Sequence, residues 1–126
     1  MSDLHIKLNI GCGGEPLPDY VNIDSDDLDM LRFRYPSRQF DENIKIHQYD
    51  IFNLPYEDAS VDEVRADSLI EHLSFVEEPK FLYEVVRVLR PGGIFCFSTT
   101  NFEEIVKLWL AADDEWKDFF RDDDEA

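Results

Sequence analysis

The chain has 126 residues, room for one domain, and 44% of them are hydrophobic, enough to build a core. Its 29 acids against 12 bases give a formal net charge of −17, which argues against nucleic-acid binding through phosphates and against an anionic membrane surface. No apolar run approaches the roughly 20 residues that span a bilayer, and the N-terminus MSDLHIKLN carries no secretion signal. Cys12 and Cys96 are too few for a disulfide framework. A cytoplasmic protein is expected.

HIKLNI (residues 5–10) alternates and then stops at G-C-G-G, which predicts a strand running into a tight loop. YVNID (20–24) predicts a second short strand ending in an acid. Residues 25–43 are polar with scattered apolar positions, and predict a short helix closed by Pro36. IKIHQY (44–49) predicts a third strand ending at Asp50, and VDEVRA (61–66) a fourth ending at Asp67. Leu82, Val85, Val86 and Leu89 recur at helical spacing, with Pro91-Gly92-Gly93 as the stop. GIFCFSTT (93–100) is apolar enough for a parallel strand covered on both faces, with Cys96 in the core. A last helix starts at Asn101, whose spacing to Glu104 is that of a capping box. Its apolar face is Ile105, Leu108, Trp109 and Ala112. Residues 1–112 are expected to form the domain, and 113–126, with eight acids and two bases, an acidic tail or helix end.

Strands alternating with helices predict an α/β fold with a parallel sheet. Ligands on such sheets bind at the carboxyl ends of the strands, near the switch in strand order. Gly11–Gly14, Asp24, Asp50 and Asp67 all fall at predicted strand ends, so they are expected to converge on one crevice. Glycines let backbone approach a ligand closely. Pro16 breaks the G-x-G-x-x-G spacing of nicotinamide and flavin enzymes, and no G-K-[ST] follows. Asp24 has the chemistry to accept from two adjacent ribose hydroxyls; alternatively Asp24 or Ser25 caps the next helix. Asp50 has the chemistry to accept from an adenine amino group with Ile51 or Phe52 against the ring, or else it starts a turn. The acidic tail lacks the glycine and spacing of a calcium loop, no Cys/His cluster suggests zinc, and no metal is expected.

The order L-N-I-G-C-G-G, V-N-I-D, Y-D-I-F-N-L-P-Y, E-H-L (71–73) and R-P-G-G (90–93) resembles the class I S-adenosylmethionine-dependent methyltransferases, and most closely the methyltransferase type 11 group. The resemblance covers about residues 6–105. It implies a Rossmann-like doubly wound sheet of about five strands in the order 3-2-1-4-5, with S-adenosyl-L-methionine as cofactor. It also implies that Gly11, Cys12 and Gly13 pass against methionine and ribose, and that Asp24 takes the ribose hydroxyls. Asp50 and the Ile51 backbone would hold adenine, and Asp67 would lie near the methionine end. His72 is the candidate base for an acceptor that must lose a proton; a structural hydrogen bond is its other reading. Tyr20, Tyr56 and Asn101 are weaker candidates for substrate contact.

Two departures from the family pattern stand out. Only 13 positions separate Gly11 from Asp24, too few for the usual helix there. The replacing stretch P-D-Y-V-N-I-D resembles small methyltransferases of surface-glycan pathways, which points to a small-molecule or glycan acceptor. The family's last two strands are also missing, which leaves strand 5 as an apolar edge. That edge leaves three readings: a fragment of a longer chain, a last helix folded over the edge, or a dimer. With the aromatics of 109–120 it predicts a homodimer through strand 5 or the last helix. A non-catalytic S-adenosylmethionine-binding or assembly module is the alternative function.

Overall fold

In the computed structural model, which describes residues 5–112, five parallel strands form one sheet in the order β3-β2-β1-β4-β5. The strands are β1 (Lys7–Ile10), β2 (Val21–Ile23), β3 (Ile46–His47), β4 (Val61–Asp67) and β5 (Leu89–Ser98). Helix α1 (Leu28–Arg34) follows β2, and a 3-10 turn (Ile70–His72) and α2 (Glu77–Val88) follow β4. Helix α3 (Phe102–Ala111) follows β5. The order reverses at β1, with β2 on one side and β4 on the other. This is the doubly wound α/β sheet expected from the sequence. The 113–126 tail lies outside the described residues.

The two faces of the sheet differ in chemistry. Leu8, Ile10, Ile23, Val64 and Ala66 are fully buried on one face, where α2 covers them with Phe81, Val85 and Val88. Phe81 meets Phe95 of β5 edge-on, with ring centres 6.4 Å apart. The other face carries Lys7 and Asn9 of β1, Asn22 of β2 and Glu63 and Arg65 of β4, aligned by the ladder. Lys7 sits over the Tyr20 ring, and the Tyr20 hydroxyl donates to Glu63. A helix after β1 normally covers such a face in doubly wound sheets. Here the β1–β2 connection is a loop held by side chains. Asn22 Oδ1 accepts from the Leu17 amide at 2.8 Å and from the Asn9 side chain at 2.9 Å. Asn22 Nδ2 donates to the Leu17 carbonyl at 3.0 Å. Both asparagines are buried, so these bonds meet the requirement that buried polar groups be paired.

Several details depart from the expected elements. Helix α2 ends at Val88, and R-P-G-G belongs to β5 as an excursion between the pairs Val61↔Leu89 and Glu63↔Ile94. Val86 is 72% exposed and Leu89 caps the helix, so the buried face runs through Phe81, Glu84, Val85 and Val88. Strand β5 is covered on one face only: Ile94, Cys96 and Ser98 are exposed, which corrects the placement of Cys96 in the core. The apolar run implies two-sided burial, but the face that carries Cys96 opposite Arg65 stays exposed. Strand β3 pairs only through Ile46 and His47, because an Asp41-started turn occupies Asn43 and Ile44. Helix α3 starts where predicted, with Asn101 Oδ1 accepting from the Glu104 amide at 3.1 Å. None of its residues is buried, so Ile105, Leu108 and Trp109 do not join the core.

One polar clamp fixes α2 to the loop before β4. Glu84 is buried, and its Oε1 accepts from the Leu54 amide at 2.8 Å. Arg87 pairs with Glu84 and Asp58 and donates to the carbonyls of Leu54 and Tyr56. Arg87 thereby holds the Glu84 carboxyl below its usual range.

Candidate functional site

Two cavities open at the carboxyl ends of the strands and meet at Gly11. The first, about 350 Å³, is lined by Gly11–Glu15, Asp67, Ser68 and His72, with Asn9, Tyr35 and Arg38. The second, about 340 Å³, is lined by Asp24, Asp50, Ile51, Phe52, Tyr49 and Leu69, with Ile10, Gly11, Ser25, Leu73 and Glu77. The eight residues expected at the cofactor and the reaction face therefore line this double crevice: Gly11, Cys12, Gly13, Asp67 and His72 on one side, Asp24, Asp50 and Ile51 on the other.

The loop after β1 is shaped for close approach. Gly11 has φ +69°, and a Cβ there would lie 3.2 Å from Leu69 Cδ1. Its amide and that of Cys12 both donate to the Ile23 carbonyl, at 2.8 and 3.1 Å. The Tyr35 ring rests on Gly14, where a Cβ would come within 2.9 Å of it. Cys12 is buried, and burial, with the Asp24 charge behind it, pushes its thiol up to about 12. The thiol is protonated at neutral pH and is no nucleophile.

Asp24 ties this loop to the end of β2. Its Oδ2 accepts from the Gly13 amide at 2.9 Å and its Oδ1 from the Asp26 amide at 3.0 Å. The helix-capping alternative falls to another residue, since Asp27 caps α1 through the Met30 amide. Asp24 also lines the second cavity and keeps unused lone pairs, because a carboxylate offers about four acceptor positions. Asp50 starts a turn, with Oδ1 accepting from the Phe52 amide at 2.9 Å. Its turn role and its place on the cavity wall coexist.

Asp67 is held from two sides. Arg65 Nε donates to its Oδ2 at 2.8 Å and the Ser98 hydroxyl to its Oδ1 at 3.2 Å. The E-H-L segment forms the 3-10 turn beside it. Glu71 Oε2 accepts from the Thr99 hydroxyl at 2.6 Å and the Thr100 amide at 3.0 Å. The Thr99 bond, with the Thr100 amide adding to it, holds the Glu71 carboxyl below its usual range. The ends of β4 and β5 are thus joined by carboxylates. His72 projects into the first cavity with its side chain 75% exposed and Glu71 at 3.9 Å.

Tyr20, Tyr56 and Asn101 line neither cavity. Tyr20 is bonded to Glu63, Tyr56 packs edge-on against Tyr49, and Asn101 caps α3. Sequence reasoning missed Tyr35, Arg38, Leu69 and Glu77. The available signal was Pro36: a helix that stops at Tyr35 turns its C-terminal end back over a glycine loop with no helix of its own.

A methyltransferase-domain family model matches residues 8–97. A probable S-adenosylmethionine-dependent methyltransferase of Mycolicibacterium smegmatis is 39% identical over 83 residues, 64% of this chain and 29% of that protein. Methyltransferase GfsG of Streptomyces halstedii is 29% identical over 100 residues, 71% of this chain and 35% of its own length. This chain thus spans about a third of these relatives. A Pyrococcus horikoshii structure superposes with TM-score 0.61 at 24% identity, covering 85% of this chain and 54% of the other. The chain belongs to the methyltransferase-domain family of class I S-adenosylmethionine-dependent methyltransferases.

Proposed function

We propose that this chain binds S-adenosyl-L-methionine in the double crevice and directs its methyl group to a small-molecule or glycan acceptor. The observation that carries the reading is the junction at Gly11 of a polar cavity and a largely apolar one, each near 350 Å³. The donor set fits an adenosyl amino acid. Ile51, Phe52 and Leu69 offer apolar surface for a purine, Asp24 and Asp50 offer acceptors, and the Gly11–Gly13 backbone offers close approach. A side chain at position 11 would intrude on that cradle.

When bound, the sulfonium supplies an electrophilic methyl carbon, and the S–C electron pair stays on sulfur. The chain's own share is positioning, which is worth effective molarities of about 10⁵ M or more. Asp24 orients the ribose, and the Gly11–Gly13 loop with Asp67 orients the amino-acid end. His72, on the wall of the first cavity, is the side chain that would accept the proton of a hydroxyl acceptor. Relatives are named for unlike acceptors, dimethylglycine in one and phthiotriol dimycocerosates in another, so the acceptor is not inherited from any one of them.

We place the chain in the cytoplasm, where Cys12 and Cys96 stay reduced. Among the described residues, no helix is long and apolar enough to cross a membrane. Residues 1–112 act as the binding domain, and neither nucleic acid nor membrane is a partner of so acidic a chain. Among the described residues, the exposed apolar side chains of α3 support a homodimer. They equally favour a second reading, an assembly module that keeps the fold without turnover.

Calorimetric titration with S-adenosylhomocysteine tests the proposal. Micromolar binding is expected. No binding by the folded chain would overturn it in favour of the assembly module.

A further inference from the structure

A third cavity, about 650 Å³, lies beside the first and shares Gly14, Glu15 and Arg38 with it. We propose that it seats the methyl acceptor, and that the acceptor presents a hydroxyl-rich ring without anionic groups, such as a glycosyl unit. The inference rests on the methyltransferase reading and names the substrate class for the same site.

The cavity exists because the β1–β2 connection is a loop. Pro16, Leu17 and Pro18 form one wall, stiffened by two proline rings and by the Asn22 bonds to Leu17. The segment after α1 forms the other, with Ser37, Gln39 and Ile44. Arg38 and Glu15 form an ion pair at 2.9 Å on the boundary between the two cavities. A ligand seated in the outer cavity therefore reaches the methionine end of the inner one past this pair.

The charges select the ligand. Among the described residues Arg38 is the one cation in the lining, and Glu15 already neutralises it. Asp41 accepts from the Asn43 amide at 2.8 Å. No spare cation is left for a phosphate or carboxylate, and the net charge of −17 opposes anions at long range. What remains is a set of planar donors and acceptors beside Leu17 and Ile44. Guanidinium, carboxylate and amide groups suit adjacent hydroxyls. The apolar pair suits the C–H face of a saturated ring.

The test is an amide chemical-shift titration of the isotope-labelled chain saturated with S-adenosylhomocysteine. The probes are methyl glycosides of common hexoses, with choline and succinate as cationic and anionic comparisons. Glycoside-induced shifts confined to residues 14–18 and 37–44 are expected, with no response there to succinate. Ser37→Trp fills the cavity and should abolish the shifts, while the rest of its spectrum reports a folded chain. A response to choline or succinate alone, shifts elsewhere, or silence from every glycoside with S-adenosylhomocysteine bound would overturn the inference alone. Failure of S-adenosylhomocysteine itself to bind would instead remove the reading beneath it.

Discussion

Asp24 Oδ2 accepts a hydrogen bond from the Gly13 amide at 2.9 Å, across the switch point of the sheet. One carboxylate thus shapes the glycine loop on β1's side and faces the apolar cavity on β2's side. Binding and preorganisation are combined in a single side chain.

Asp24→Ala should lower S-adenosylhomocysteine affinity by about 10–100-fold, the range of about 1.5–3 kcal/mol for hydrogen bonds to a charged group. Calorimetry on the folded variant checks it. Affinity unchanged within twofold would show that the carboxylate serves only the loop.

Gly11→Ala places a methyl group 3.2 Å from Leu69 in a left-handed backbone conformation. The variant should lose about 1–2 kcal/mol of stability from backbone strain. It should also bind S-adenosylhomocysteine more weakly. Urea denaturation and calorimetry report the two effects separately.

Asn22→Ala leaves the Leu17 amide and carbonyl without their partner, and the Asn9 side chain with only the Glu15 carbonyl at 3.3 Å. Unpaired buried groups cost about 1–3 kcal/mol each; with partial relaxation, a loss of about 3 kcal/mol is expected in urea denaturation. Asn22→Asp should be only partly tolerated, because the acceptor is kept and the donor to Leu17 is lost.

How much of this was legible beforehand divides along physical lines. Strand ends, the glycine loop and the acids after each strand were readable, because hydrophobic runs and chain-breaking residues act locally. Asn9 and Asn22 looked like ordinary strand positions. Their role depends on pairing between strands 13 positions apart in sequence, which no local pattern carries. The same holds for Glu84, which reads as the polar side of α2 and is buried by the loop at Leu54. Strand β5 misled in the opposite sense: an apolar run implies cover on both faces, but cover is supplied by other elements.

Glu84 also sets an acid limit. Its carboxyl is held below the usual 4.5, first by Arg87. The folded state therefore favours the ionised form, and this stabilisation is complete above pH 4.5 and lost as pH falls through the folded value. Glu71 adds in the same direction. Thermal melts should fall steeply below pH 4.5 in the native chain. Glu84→Gln should be less stable at pH 7, by about 2 kcal/mol because Arg87 is partly solvated, with a flatter acid limb.

Cys12 and Cys96 should separate in alkylation. At pH 8, iodoacetamide should modify exposed Cys96 and spare Cys12, as peptide mass spectrometry will record. The Cys12 thiol rises from 9.0 to about 12 on folding. The unfolded chain therefore releases this proton first, and stability should decline as pH climbs above 9. Cys12→Ala should lessen that decline.

The excursion at R-P-G-G acts as a phase reset for β5. Two steps along β4, Val61 to Glu63, correspond to five along β5, Leu89 to Ile94. The odd surplus is extruded, so the strand re-enters the ladder with Phe95 toward α2 and Cys96 away from it. A residue added or removed between Arg90 and Gly92 is absorbed in the extruded turn. One removed after Gly93 exchanges the two sides of the strand, and Cys96 then falls against Phe81. Length variation is tolerated in one half of β5 and forbidden in the other, so an insertion tag or permuted terminus belongs at Pro91-Gly92.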